Sequence, residues 1–245
     1  MRFLFVIFLI GCSADILAQV EFVEKTYPDG TQEHVIWYET EEKDALISRE
    51  VWYYTNGNKS QDINYEDGKK DGSYSEWYES GMLKLKGSYL NEGLDDKWVS
   101  YYENGVKKSE ELYRNGKLDG KATYWYDNGE RSSEKIYVDG KQNGKWISWF
   151  EDGMEKVKGD YLDGKESDKW ISFHPNGKKK VEGSYMDGKE EGYWMSWFEN
   201  GNIKVEGTYK SGEMTGTWVW YNEDGSKQTE KVFKGGKIID MEMYH

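Results

Sequence analysis

Gly144–Ser167 reads GKWISWFEDGMEKVKGDYLDGKES, and the same 24-residue plan recurs before and after it. Its first turn glycine has counterparts at Gly57, Gly81, Gly105, Gly129, Gly153, Gly177, Gly201 and Gly225, evenly spaced by 24 residues. A second glycine follows eleven residues later, at Gly68, Gly116, Gly140, Gly164, Gly188, Gly212 and Gly236, the one lapse being Asn91-Glu92-Gly93. Asn-Gly or Asp-Gly between alternating apolar residues is the strongest short-range hairpin signal, because a type I′ turn needs positive φ at both central positions. The runs between the turns, such as KWISWF and EKVKGDYL, are too short for stable helices and rich in residues that suit a pleated surface. The expected fold is all-β: an elongated single-layer array of about eight 24-residue β-hairpin repeats.

Taken as a two-residue turn, Asp152-Gly153 pairs residues whose numbers sum to 305, setting Trp146 opposite Gly159, Ser148 opposite Val157 and Phe150 opposite Glu155. The same arithmetic sets Tyr74 opposite Gly87, Trp170 opposite Gly183 and Trp194 opposite Gly207, so each ring is expected to lie over the bare backbone facing it. Trp98 against Glu111 and Trp218 against Lys231 depart from that rule. Alternation puts Trp146, Phe150, Val157 and Tyr161 on one face, the packed one, and Ile147 and Trp149 beside Lys156, Lys158 and Asp160 on the other. On this second face the position of Trp149 is filled through the array by Trp77, Tyr101, Trp125, Phe173, Trp197 and Tyr221. This aromatic ladder is the candidate binding strip, against the plainer reading that its rings only cover the sheet beneath lysine stems.

The ends differ from the middle. Residues 1–18, MRFLFVIFLIGCSADILA, carry one basic residue, an apolar run from Phe3 to Ile10 and a small-residue cleavage point after Ala18, the plan of an export signal. Leu9-Ile10-Gly11-Cys12 also fits a lipoprotein signal that would end before Cys12, the only cysteine, which makes Cys12 a lipidation candidate. Both routes place the protein in the periplasm, at the outer membrane or cell surface, or outside the cell. Residues 19–50 form a divergent N-terminal repeat or cap, where Tyr27-Pro28-Asp29-Gly30 precedes its counterpart Tyr54-Thr55-Asn56-Gly57 by 27 residues and the insertion falls within Glu39 to Glu50. Tandem repeats fill 51–236 without a linker, as one domain, and 237–245 close the array.

Leu, Ile, Val and Phe make up under a fifth of the chain and its net charge is -13, a combination that by itself suggests disorder. Twelve Trp and twenty Tyr in register overrule it, since large rings bury area without a thick aliphatic core. The acidic balance, with lysines alternating with Glu and Asp, argues against nucleic acid and against anionic membrane binding by the repeats.

The plan turn-Gly-Lys-x-x-Gly-x-Trp-x-x-aromatic-aromatic-x-Asn-Gly, clearest in DGKQNGKWISWFEDG (Asp139 to Gly153) and DGKEEGYWMSWFENG (Asp187 to Gly201), resembles the MORN-repeat variant family of bacterial proteins, which includes YwqK-type antitoxins. The resemblance covers roughly residues 51 to 236 and implies a sheet of hairpins with a role in protein contacts. An intracellular antitoxin-like inhibitor is a further implied reading, at odds with an export signal.

The sequence offers no chemistry. His34, His174 and His245 share no metal-ligand spacing, and His174 occupies the slot of Phe150 and Phe198, which makes it a strand residue. The Asp-Gly pairs lack the calcium-loop pattern, and a repeating comb offers no unique cleft to separate two carboxylate pKa values. The expected protein is therefore not an enzyme and takes no metal or cofactor. It is a scaffold for another protein, with a glycan-binding module as the alternative because Trp-x-x-Trp-Phe and Tyr-Tyr clusters also suit sugar rings.

Overall fold

The computed structural model describes residues 4–5, 19–40, 42 and 44–244. The segment read above as an export signal, with Cys12, lies outside these residues apart from Leu4–Phe5, which pair antiparallel with Phe22 and Glu21. Among the described residues there is no helix, and strands follow one another in chain order, each antiparallel to the next. By packing the chain divides into two compact units, one ending at Leu118 and one beginning at Asp119. Within each, consecutive hairpins make a single-layer sheet, as the turn spacing predicts.

The two turns of a repeat differ. Asp163 and Gly164 have φ of 52° and 82°, and Leu162 pairs with Lys165, the expected type I′ hairpin. The lapse at Asn91-Glu92-Gly93 is absorbed in the same geometry, with Asn91 at 47° and Glu92 at 69°. At Asp152-Gly153, however, only the glycine is left-handed, at 83°. Phe150 N–H donates to Met154 O and Gly153 N–H to Phe150 O, which is a type I turn followed by a left-handed glycine bulge. Asp152 Oδ1 accepts from Met154 N–H at 3.0 Å, the local bond that favours Asp or Asn there. The register therefore runs as the arithmetic predicts from Gly144–Tyr161 to Ser148–Val157 and then slips, pairing Trp149, not Phe150, with Glu155.

The slip moves side chains between faces. Glu155 joins the ladder face, where Lys158 Nζ meets it at 2.8 Å, while Lys156 crosses to the other face and lies over the Phe150 ring at 5.6 Å. Lys156 was expected beside Trp149; the bulge is the reason it is not. A third positive φ recurs at Gly72, Asp96, Gly120, Gly144, Asp168, Gly192 and Gly216, where the strand bulges before its Trp, Tyr or Ala. Between Lys158/Ile171 and Asp160/Ser167 the register shifts by this bulge.

That second bulge decides which ring covers each glycine. Trp146 does pair with Gly159, but a Cβ built on Gly159 would meet Trp170 Cδ2 at 2.3 Å, the indole of the following strand. Trp98 covers Gly87, Trp194 covers Gly183 and Trp218 covers Gly207 in the same way. Each indole N–H donates to the carbonyl next to its glycine: Trp98 to Ser88, Trp170 to Asp160, Trp194 to Ser184 and Trp218 to Thr208, at 3.0 to 3.2 Å. The rule is thus a tryptophan eleven residues after a glycine, and Trp98 and Trp218 obey it. Trp146 departs from it, because Lys135 occupies its glycine position and its buried Nε1 has no partner.

These indoles and the intervening tyrosines make the packed face. In the first unit Tyr74, Tyr89, Trp98 and Tyr113 touch edge to face or tilted, at centroid distances of 5.2 to 6.4 Å, around buried Ile63. In the second unit Trp146, Tyr161, Trp170, Tyr185, Trp194, Tyr209 and Trp218 form a row of their own at 4.8 to 6.3 Å. Edge-to-face contact suits the ring quadrupole and adds to area burial. The insertion near the N-terminus lies between the strands Gln32–Tyr38 and Ile47–Tyr53.

Candidate functional site

The ladder residues occupy one position of the repeat, the last of the strand before each bulged turn. Trp77, Tyr101, Trp125, Trp149, Phe173, Trp197 and Tyr221 are all half-buried. The preceding repeat holds the backbone of several: Tyr54 Oη donates to Trp77 O, Tyr78 to Tyr101 O and Tyr126 to Trp149 O, each at 2.8 Å. His174 takes this role toward Trp197 O, with Nε2 at 2.9 Å. It is thus a turn residue replacing a tyrosine, not a mid-strand residue; the bulge removes its slot from the strand. Asn128, Asn176 and Asn200 likewise donate Nδ2–H to Glu151, Glu199 and Glu223 carbonyls one repeat on, at 2.8 to 2.9 Å.

Over the rings lies a lattice of charge. Lys59 Nζ is 5.7 Å from the Trp77 centroid, Lys158 is 5.3 Å from Phe173 and Lys179 is 5.6 Å from Trp197. These are cation–π distances. The same cations serve carboxylates, Lys59 bonding Asp62 and Lys158 bonding Glu155 at 2.8 Å and Lys179 bonding Glu182. Further lysines add to the lattice: Glu182 also bonds Lys169 at 2.5 Å, and Glu110 bonds Lys97 at 2.9 Å and Lys107 at 2.7 Å. Paired hydrogen bonds from these lysines hold the Glu110 and Glu182 carboxyls below the ordinary range. Asp62 is lowered as well, although burial raises it, because bonds from Arg49 and Lys59 outweigh that burial. At the far end Tyr193 and Tyr221 both donate to Glu206, each at 2.6 Å. The bond to Glu206, then burial, pushes the Tyr221 phenol up to about 12; burial, then the same carboxylate, pushes Tyr193 up to about 12.

Between two rungs of the ladder lies a cavity of about 290 Å³ lined by Trp125, Trp149, Glu130, Arg131 and the turn glycines Gly129 and Gly153. Its two indole walls with one cation and one anion can take an apolar group carrying a polar end. No group of His, Cys, Asp and Glu among the described residues has metal-holding geometry. No helix there is long and apolar enough to cross a membrane.

Single-layer hairpins built on this repeat define a class, and comparison with known families agrees with it. The family described as MORN repeat variant matches residues 70–91, 97–115, 118–139, 169–187 and 190–211. The chain belongs to the MORN-repeat variant proteins. No curated protein matches it. Among solved structures, crystal structures of TcdB2-TccC3 and of TcdB2-TccC3-Cdc42 are similar over 92% of this chain, at 9% and 10% sequence identity and TM-scores of 0.22 and 0.23. This chain spans 15% of the length of those chains.

Proposed function

We propose that the protein is an exported, non-catalytic repeat scaffold whose aromatic ladder binds another protein at the cell envelope or surface. The observation that carries the reading is spacing: Trp125, Trp149, Phe173, Trp197 and Tyr221 stand half-buried on one face of one unit, one per 24-residue repeat. Successive rungs are two strands apart, roughly 10 Å. A partner meeting several rungs gains from weak contacts made together, each ring supplying rigid area at little entropic cost. Export rests on the apolar run Phe3 to Ile10 and the cleavage point after Ala18, with Cys12 as the alternative lipidated start.

The ladder is tested by replacing Trp125, Trp149 and Trp197 together with alanine and comparing capture from native envelope extract. The expected result is a partner held by the wild-type chain and lost from a triple variant that keeps its β circular dichroism. Capture unchanged in the folded variant overturns the reading. Soluble glycans that quench tryptophan fluorescence in the wild type alone would replace it with the carbohydrate module. Intact mass of the native protein tests export, since a start at Gln19 or a lipidated Cys12 agrees with it and an uncut Met1 does not.

A further inference from the structure

The two faces of the second unit handle charge differently. On the ladder face cations and carboxylates close on one another, as at Lys158–Glu155, Lys121–Glu134 and Lys169–Glu182. On the Trp/Tyr face Lys156, Lys180 and Lys204 stand exposed along the bulged-turn side, Glu166 and Glu190 stand along the opposite side, and among the described residues none of the five makes an ion pair. Between the rows lies an apolar floor with hollows of about 240 Å³ at Trp170, Val181, Tyr185 and Trp194, and about 250 Å³ at Val181, Trp194, Val205, Tyr209 and Trp218. The floor is bounded at its ends by Lys135 and Lys231, whose ammonium groups lie over Tyr124 and Trp220. Among the described residues of this unit no second layer covers the Trp/Tyr face, which is half of the usual two-layer arrangement.

We propose that the Trp/Tyr face of this unit is covered by the same face of a second copy of the chain. Charge fixes the orientation. A two-fold axis lying between the sheets and running along the direction of the repeats brings each lysine row opposite the partner's glutamate row, whereas a two-fold axis along the strands sets lysine against lysine. Only the first is self-complementary, as an isologous interface requires. The hollows then receive the partner's rings, as side chains interdigitate between stacked sheets. From the Gly144 strand to the Tyr221 strand the patch is about 33 Å by 20 Å, about 1,300 Å² for two copies, above the roughly 1,000 Å² a specific interface needs. The inference goes beyond the ladder reading and uses the other face, leaving the ladder outward.

The test reads mass, not partner capture, so its failure is distinct from failure of the ladder. Sedimentation of the full chain is expected to show a dimer at about 0.1 mM, dissociating at least tenfold more readily in Lys156→Glu/Lys180→Glu/Lys204→Glu and in Glu166→Lys/Glu190→Lys. These side chains lie on the sheet surface, so both variants keep the fold, which circular dichroism checks. Mixing the two reversed chains restores lysine against glutamate on both sides and is expected to yield the heterodimer. A monomeric wild-type chain, a dimer indifferent to either reversal, or a mixture that stays monomeric overturns the proposal.

Discussion

Gly159 is bare because Trp170 needs the space. Gly159→Val would improve strand propensity, yet its side chain would enter the indole from 2.3 Å away, so it is expected to destabilise by about 1 to 3 kcal/mol in urea unfolding. The partner of the clash is separable by a double-mutant cycle: the cost should largely vanish in a Trp170→Ala background and persist in Trp146→Ala. A cycle that couples Gly159 to Trp146 would contradict the structure. The pairing of Trp146 with Gly159 was legible in the sequence, since one turn fixes it. The covering ring was not, because it comes from the next strand and depends on a bulge at Asp168 whose left-handed φ a non-glycine residue conceals. Lys156 was placed on the wrong face for a similar reason: a dipeptide such as Asp-Gly serves two turn types, and only one shifts the register.

Several hairpins are tied to the next by side-chain bonds that strand pairing does not include. Tyr126→Phe removes the donor to Trp149 O and is expected to cost about 1 kcal/mol, read by unfolding and by faster amide exchange around Trp149. The chain itself carries Phe at positions 150 and 198 of this slot, so the fold tolerates the loss. The Tyr193–Glu206–Tyr221 cluster makes a pH prediction. Both phenols sit above their ordinary value of 10.0, so the folded state keeps protons that the unfolded chain releases. Their stabilisation is complete below pH 10 and is lost as pH rises from 10 toward about 12. Glu206→Gln should lower stability at pH 8 and converge with the wild type toward pH 12; a constant difference across that range would rule the linkage out. Ladder membership was readable from spacing alone, but these carboxylate bridges depend on which side chains the bulges bring onto one face.

At the level of the molecule, the repeat is a unit of register. Deleting 158–181, a full 24 residues, joins Val157 to Glu182 and restores every cross-strand pair, so the shortened chain should fold with lower stability. Deleting 158–180 joins Val157 to Val181 and moves the residues that follow to the opposite face. Circular dichroism and urea unfolding should find the first variant cooperative and the second not. Equal behaviour would mean that the alternation of faces is not what holds the repeats.

The indole over each glycine also gives the second unit a mechanical direction. Trp218, Trp194 and Trp170 each reach back to the strand before their own, so a load applied at the C-terminal end must lift one ring from its seat for every hairpin it peels. Each event releases 24 residues, about 80 Å of extended chain. Trp146 has no such seat, and the joint ahead of it is expected to part at lower force than the three behind it. A stretched molecule should thus yield in even steps and then give way.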